Sequence, residues 1–163
     1  MAGDVIEGLK SCELFALLSQ AELEEVTSAL ATICTEGVCE VCEYETGDFI
    51  FEQGEHSARF YIIVEGQVLL KRSVNIGDRI ADWPLALLGK GRVMGWSSLL
   101  HGPRYLTASA ICQKPSRVIA ADGAVLRSVL EENPVIGLKV MSRLAWMLGE
   151  RLRQTYNKLE SHL

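Results

Sequence analysis

The sequence lacks the features of membrane and secreted proteins. No apolar run approaches the roughly 20 residues that a spanning helix needs. The first residues include Asp4 and Glu7 and do not form the basic start and apolar stretch of a secretory signal. We therefore predict a cytoplasmic chain without a membrane partner.

Basic residues and prolines are also scarce. There are 16 Lys and Arg against 21 Asp and Glu, which gives a formal charge of −5. Such a surface repels phosphate backbones, and no dense basic patch interrupts it, so we predict no nucleic-acid binding by this chain. Four prolines and 48% hydrophobic residues in 163 are typical of a globular chain, and this length predicts one domain, residues 1–163.

The apolar pattern divides the chain into three parts. Residues 1–36 have helical spacing, with Ser19 and Glu22 as a capping box. Residues 38–120 contain short runs of Val, Ile, Phe and Tyr separated by glycines, which is typical of an antiparallel roll or sandwich. Residues 124–163 are helical again, and the final helix begins at Asn133-Pro134.

Three strands are predicted within the middle part, at residues 48–51, 60–64 and 67–74. Glu65-Gly66 lies between the last two strands, and a two-residue turn of this kind predicts that they pair as a β-hairpin.

The final helix carries an apolar seam with alternating spacings of three and four residues. This spacing is typical of a coiled coil, so we predict a homodimer, although the same stripe could pack on the roll. The seam residues are Leu138, Met141, Ala145, Leu148, Leu152, Thr155 and Leu159.

Three of the five cysteines, Cys34, Cys39 and Cys42, form a C-x4-C-x2-C cluster that could ligate a metal or an iron–sulfur cluster. Against this, the cluster runs into a predicted strand, in which Cys39 and Cys42 would point to opposite faces. Free thiols are the default state in a reducing compartment, and we expect buried cysteines without a metal.

No catalytic residues are predicted. A hydrolytic enzyme needs a nucleophile and a base in defined geometry, and Ser97 or Ser98 beside His101 has no nucleophile-elbow motif around it. We therefore do not expect an enzyme.

Two segments resemble the cyclic-nucleotide-binding domain family. Residues 47–55 (GDFIFEQGE) and 60–68 (FYIIVEGQV) match the first half of that domain, and residues 94–110 (MGWSSLLHGPRYLTASA) look like its phosphate-binding cassette. The resemblance implies an α+β fold, a β-roll or jelly roll of about eight strands with N-terminal helices and a long C-terminal helix. It also implies a regulatory role in signal transduction, with cyclic AMP or cyclic GMP as candidate ligands.

The resemblance carries a set of ligand-binding residues onto this chain. In the family, backbone N–H groups of a short helix and one arginine hold the cyclic phosphate, and Arg104 matches that arginine. Trp96 replaces the family's glutamate, which binds the ribose hydroxyls. Another small anionic ligand is therefore an alternative to a cyclic nucleotide. The candidate site is Gly95, Trp96, Ser97, Ser98, Arg104, Tyr105 and Thr107.

Three functions stay open at this point. The first is a ligand sensor that dimerises through the final helix. The second is a ligand-free assembly module with a degenerate cassette, and the third is a redox or metal sensor that uses the cysteine cluster. Transcription regulators that resemble this chain continue into a helix-turn-helix domain, whereas this sequence ends at Leu163.

Overall fold

The computed structural model describes residues 2–34, 39–101 and 105–163. The helices are α1 (Ala2–Lys10), a 3₁₀ helix (Glu13–Phe15), α2 (Gln20–Cys34), a second 3₁₀ helix (Trp96–Leu99), α3 (Gly123–Glu132) and α4 (Pro134–Ser161). The strands are β1 (Cys39–Tyr44), β2 (Phe49–Phe51), β3 (Arg59–Glu65), β4 (Val68–Ile76), β5 (Arg79–Leu88), β6 (Val93–Met94), β7 (Ser109–Cys112) and β8 (Ser116–Asp122). Within these described residues, no helix is both long enough and apolar enough to cross a bilayer.

The eight strands form two four-stranded antiparallel sheets. One sheet has the order β1-β8-β3-β6 and the other the order β2-β7-β4-β5. Strand β8 pairs with β1 from Cys39↔Ala121 to Tyr44↔Ser116, and β3 pairs on its other edge. The predicted α+β fold, an antiparallel roll between helices, is confirmed.

The predicted hairpin at Glu65-Gly66 is wrong. Strands β3 and β4 lie in different sheets, so this turn carries the chain from one sheet to the other. Gly66 has φ 103°, and a Cβ there would lie 2.6 Å from the carbonyl oxygen of Pro115. The long hairpin is instead β4–β5, which turns at Gly77-Asp78 with Ile76 paired to Arg79.

Two apolar clusters hold the elements together. The first lies between the helices and the β3–β8 sheet, and its fully buried members include Leu14, Ile119 and Val140. The second lies between the two sheets and includes Ile63 and Val68. The first cluster fixes α3 and α4 against the roll, and thereby positions the long helix beside the predicted cassette.

The starts of α2 and α4 follow their predicted signals, and α3 has a cap that was not predicted. Ser19 Oγ accepts from the Glu22 N–H at 3.2 Å, and the Ser19 N–H donates to Glu22 Oε1 at 3.0 Å, so the capping box is confirmed. Asp122 caps α3 by accepting from Ala124 N–H at 2.8 Å. Proline lies in the first turn of α4, as predicted.

Candidate functional site

A cavity of about 120 Å³ lies in the part of the roll where the cassette, residues 94–110, was predicted. The cassette supplies much of its wall, β2, β4 and β5 supply apolar side chains, and α4 supplies one arginine. Most of the wall is apolar, and we call this space the cassette cavity. The lining residues are Phe51, Leu70, Leu85, Met94, Gly95, Trp96, Ser97, Tyr105, Leu106, Thr107, Ala108 and Arg151.

The second 3₁₀ helix, Trp96–Leu99, forms the first half of the cassette, and we call it the cassette helix. Gly95 precedes it with φ 70°, where a Cβ would meet the carbonyl oxygen of Arg59 on β3. Only glycine fits that left-handed position without strain. The Ser98 hydroxyl is buried and donates to the Gly95 carbonyl at 2.7 Å, which locks the turn.

Trp96 lies at the junction of the cassette cavity and the first core cluster. Its partly buried side chain packs against that cluster and also lines the cavity. Its neighbour Ser97 shares a 2.7 Å hydrogen bond with the hydroxyl of Ser57. The indole is therefore part of both the cavity wall and the packing against the first core cluster.

The described part of the second half of the cassette begins at Tyr105. Arg104 lies outside the described residues. Tyr105 is 65% exposed, and its ring meets the edge of His56 with centroids 6.0 Å apart. The Thr107 carbonyl accepts from Arg72 Nη1 at 2.6 Å, which ties this segment to β4. The structure thus brings Gly95, Trp96, Ser97, Tyr105 and Thr107 around one cavity, while Ser98 lies buried behind it.

The cassette helix is in direct contact with the C-terminal helices. A Cβ on Gly123, at the start of α3, would lie 2.5 Å from the carbonyl oxygen of Ser98. In the same way, a Cβ on Gly137 of α4 would lie 2.5 Å from the Leu130 carbonyl oxygen of α3. Two close backbone approaches therefore connect the cassette to α3 and α3 to α4.

Comparison with known proteins agrees with this geometry. The protein-family model of the cyclic nucleotide-binding domain matches residues 41–133 of this chain. This chain belongs to the cyclic nucleotide-binding domain family. The match spans both sheets, the cassette and α3, and confirms the resemblance inferred from the motifs.

Two curated relatives are regulatory proteins by name. One is a "CRP-like cAMP-activated global transcriptional regulator" of Mycobacterium tuberculosis, 30% identical over 118 residues, which are 72% of this chain and 49% of the relative. The other is a "cAMP-dependent protein kinase regulatory subunit" of Mycosarcoma maydis, 28% identical over 149 residues, which are 91% of this chain and 24% of the relative. The chain thus spans from about a quarter to about half the length of these relatives.

Solved structures show the same fold. The catabolite activator protein of Thermus thermophilus has a TM-score of 0.67 and 30% identity, over 91% of this chain and 62% of that one. A cyclic nucleotide-binding domain from Methylobacillus flagellatus has a TM-score of 0.73 at 20% identity, over 99% and 84% of the two chains.

The cysteines of this family member do not converge in the described part of the chain. Cys39 packs against the first core cluster and Cys42 against the second, as predicted for opposite strand faces. Cys39 is disulfide-bonded, which corrects the expectation of free thiols throughout, whereas Cys12, Cys42 and Cys112 are free. The side chain of Cys34 is outside the described residues, among which no group of three metal-ligating side chains occurs.

Burial makes the free thiols weak nucleophiles. It raises the pKa of Cys12 to about 12, and it also raises the pKa of Cys42 and of Cys112. Only the thiolate attacks or ligates efficiently, so these side chains serve the core.

Arg151 was missed by the sequence reasoning. It lines the cassette cavity from α4, more than 40 residues after the cassette. It continues a roll-facing series with Val140, Leu144 and Met147, whose spacings of four, three and four residues place all four on one helix face. The sequence does contain a signal for this residue, because a charged side chain interrupts an otherwise apolar helical series.

Proposed function

We propose that this chain is a regulatory, non-catalytic domain that binds a cyclic nucleotide or another small anion in the cassette cavity. The observation that carries the proposal is the cavity itself, because the family's cassette and the long α4 both contribute to its wall. The two curated relatives are named for cyclic AMP, which supports the ligand class.

The cavity dimensions restrict the ligand. At about 120 Å³ the cavity is smaller than the roughly 300–1,000 Å³ of typical small-molecule sites. A nucleotide would require Trp96 or α4 to move, whereas a compact anion would not. A ligand that moves α4 would favour one conformation over another, which is the requirement for a sensor.

We expect the purified protein to be stabilised against heat by cyclic AMP, cyclic GMP or a compact anion such as inorganic phosphate. A ligand at 100 times its Kd stabilises the folded state by about 2.7 kcal/mol, which a thermal-shift titration resolves. Arg104→Glu should abolish the shift, because the resemblance assigns this arginine to the anion.

The matched control is Arg79→Glu, the same charge reversal at the tip of the β4–β5 hairpin. The proposal fails if no probe shifts the melting temperature, or if the two variants respond alike. A flat response would support the ligand-free assembly module, which the small cavity and the position of Trp96 favour.

We propose in addition that α4 pairs with α4 of a second copy. Leu138, Leu152 and Leu159 of the predicted seam are 71%, 52% and 51% exposed, whereas Leu148 packs on the first core cluster. The exposed residues continue at spacings of three and four, and we call this set the outer stripe. It consists of Val135, Leu138, Ser142, Ala145, Gly149, Leu152, Tyr156 and Leu159.

The outer stripe suits close helix pairing. Ser142, Ala145 and Gly149 are small and lie at its centre, where two helices would approach, and larger apolar residues flank them. A Cβ on Gly149 would meet nothing within 4 Å, so that surface is open. The alternating three and four spacing is that of a coiled-coil seam.

Leu152→Glu is expected to weaken the dimer about tenfold to a hundredfold, because it places two like charges on the outer stripe of adjoining helices. Analytical ultracentrifugation across a concentration series measures this. Asn157→Glu, on the same helix but away from the stripe, should dimerise like the original chain. A monomeric original chain at all concentrations, or equal effects of the two variants, would contradict the pairing.

A further inference from the structure

A second charged space lies outside the cassette, between α4, the first 3₁₀ helix and the residue that precedes β6. Its volume is about 270 Å³, and none of its described lining residues belongs to the cassette, residues 94–110. Three arginines line it, and we call it the arginine pocket. Its charged and aromatic lining residues are Glu13, Arg92, Arg143, Trp146, Glu150 and Arg151.

Arg143 is held at the wall of the arginine pocket by two contacts. Its Nε donates to the main-chain carbonyl of Glu13 at 3.2 Å, and its guanidinium carbon lies 4.4 Å from the centre of the Trp146 ring. A cation over an indole face is stabilised by the ring and has a defined orientation. Among the described residues no carboxylate pairs with Arg143, so its terminal nitrogens are left to bind an anion.

The two acids of the arginine pocket are already engaged. Glu13 accepts from Arg92 Nε at 2.8 Å with one carboxylate oxygen and from the Val93 N–H at 3.0 Å with the other. Glu150 pairs with Arg153, an arginine that does not line the pocket. Three guanidinium groups therefore share a space in which one carboxylate neutralises one of them.

The remaining positive charge is crowded. Burial lowers the pKa of Arg151, the charge of Glu13 raises it, and the charge of Arg92 lowers it further, so two of the arginines repel each other. Arginine stays charged at neutral pH even so. The whole chain has a formal charge of −5, and this local excess of positive charge is therefore opposite in sign to the average surface.

We propose that the arginine pocket is an anion-binding site separate from the cassette, which binds a compact diphosphate-type anion through Arg92, Arg143 and Arg151. Guanidinium groups present pairs of N–H donors that match phosphate oxygens, and such charge-assisted hydrogen bonds are strong. The pocket volume lies just below the roughly 300–1,000 Å³ of typical small-molecule sites, which favours a compact anion. This inference goes beyond the proposed function, because it uses no cassette residue.

The test uses pyrophosphate as the probe and titration calorimetry as the measurement. The original chain is compared with Arg104→Glu, the variant in which the proposed function expects the cassette to lose its anion. We expect Arg104→Glu to bind pyrophosphate still, with a Kd below about 1 mM. Binding that persists in this variant reports the arginine pocket and not the cassette.

Arg143→Met, introduced into the Arg104→Glu chain, should weaken this binding at least about tenfold, the usual effect of losing a charged hydrogen bond. The matched control is Arg79→Met in the same chain. It removes the same charge at the tip of the β4–β5 hairpin and should leave the affinity for pyrophosphate unchanged.

Glu150→Gln changes the affinity in the opposite direction. It removes a negative charge from the lining of the arginine pocket, and we expect it to tighten pyrophosphate binding about twofold to fivefold. A variant that only damaged the fold would not bind more tightly. This result therefore tests the site even where Arg143→Met fails to fold.

The outcomes separate this inference from the proposed function. If the original chain binds pyrophosphate and Arg104→Glu does not, the cassette holds the anion, so the inference is wrong and the proposed function stands. Equal binding by the Arg143→Met and Arg79→Met chains, or no gain of affinity in Glu150→Gln, would also overturn the inference. If Arg104→Glu responds to every cassette probe as the original chain does, while Arg143→Met loses pyrophosphate, only the proposed function is wrong.

Discussion

Replacing Gly66 with alanine is expected to lower the free energy of unfolding by about 3–5 kcal/mol. Gly66 has φ 103°, a region that costs other residues about 1–3 kcal/mol. An added Cβ would also lie 2.6 Å from both the Pro115 carbonyl oxygen and the Ser116 Cα. These are backbone atoms of the segment that leads into β8, so no side-chain rotation relieves the clash.

Gly54→Ala is the matched control for this prediction. Gly54 has a similar φ of 91°, but a Cβ there would meet nothing within 4 Å. It should therefore lose only the conformational part, about 1–3 kcal/mol. Chemical denaturation of both variants, with unchanged slopes, measures the difference. Equal losses would contradict the steric contribution at Gly66.

The turn at Gly66 also shows what the sequence could predict of the fold. A glycine turn between two apolar runs was visible, and both strands lie close to their predicted positions. The pairing was not visible, because β3 pairs with β6 and β8, which lie about 30 to 60 residues further along the chain. Strand pairing is decided by such distant partners, and turn chemistry alone does not reveal them.

The candidate site was predictable to a similar extent. The motif located the cassette helix and Gly95 before it, since the pattern of residues 94–110 contains both. Arg151 was missed because the three-dimensional packing of α4 on the roll brings it to the cavity. The periodicity of α4 predicted an apolar seam but not which of its residues face the roll. In the structure Leu148 packs against the first core cluster, whereas Leu138 and Leu152 are exposed.

Gly123→Ala is the second substitution with a large expected effect, about 2–4 kcal/mol of lost stability. The added Cβ would lie 2.5 Å from both the Cβ and the carbonyl oxygen of buried Ser98. Either α3 or the cassette helix must then move. The Ser98 hydroxyl bonds the Gly95 carbonyl, so displacement of the cassette helix would also disturb the cavity wall.

Two further variants distinguish this clash from a general effect on helices. Gly3→Ala in α1 adds a Cβ that meets nothing within 4 Å, and it should be neutral or stabilise by up to about 1 kcal/mol. Ser98→Gly in the Gly123→Ala background removes the side-chain part of the clash and leaves the carbonyl part, so partial rescue is expected.

A double-mutant cycle in chemical denaturation quantifies this coupling. A coupling energy of at least about 0.5 kcal/mol, in the direction of rescue, would show that α3 and the cassette helix meet at these two residues. Additive effects would mean that the strain of Gly123→Ala is absorbed elsewhere. Binding by the cassette would then need a route to α4 other than α3, and the direct contact of Arg151 with the cassette cavity is the one that the structure offers.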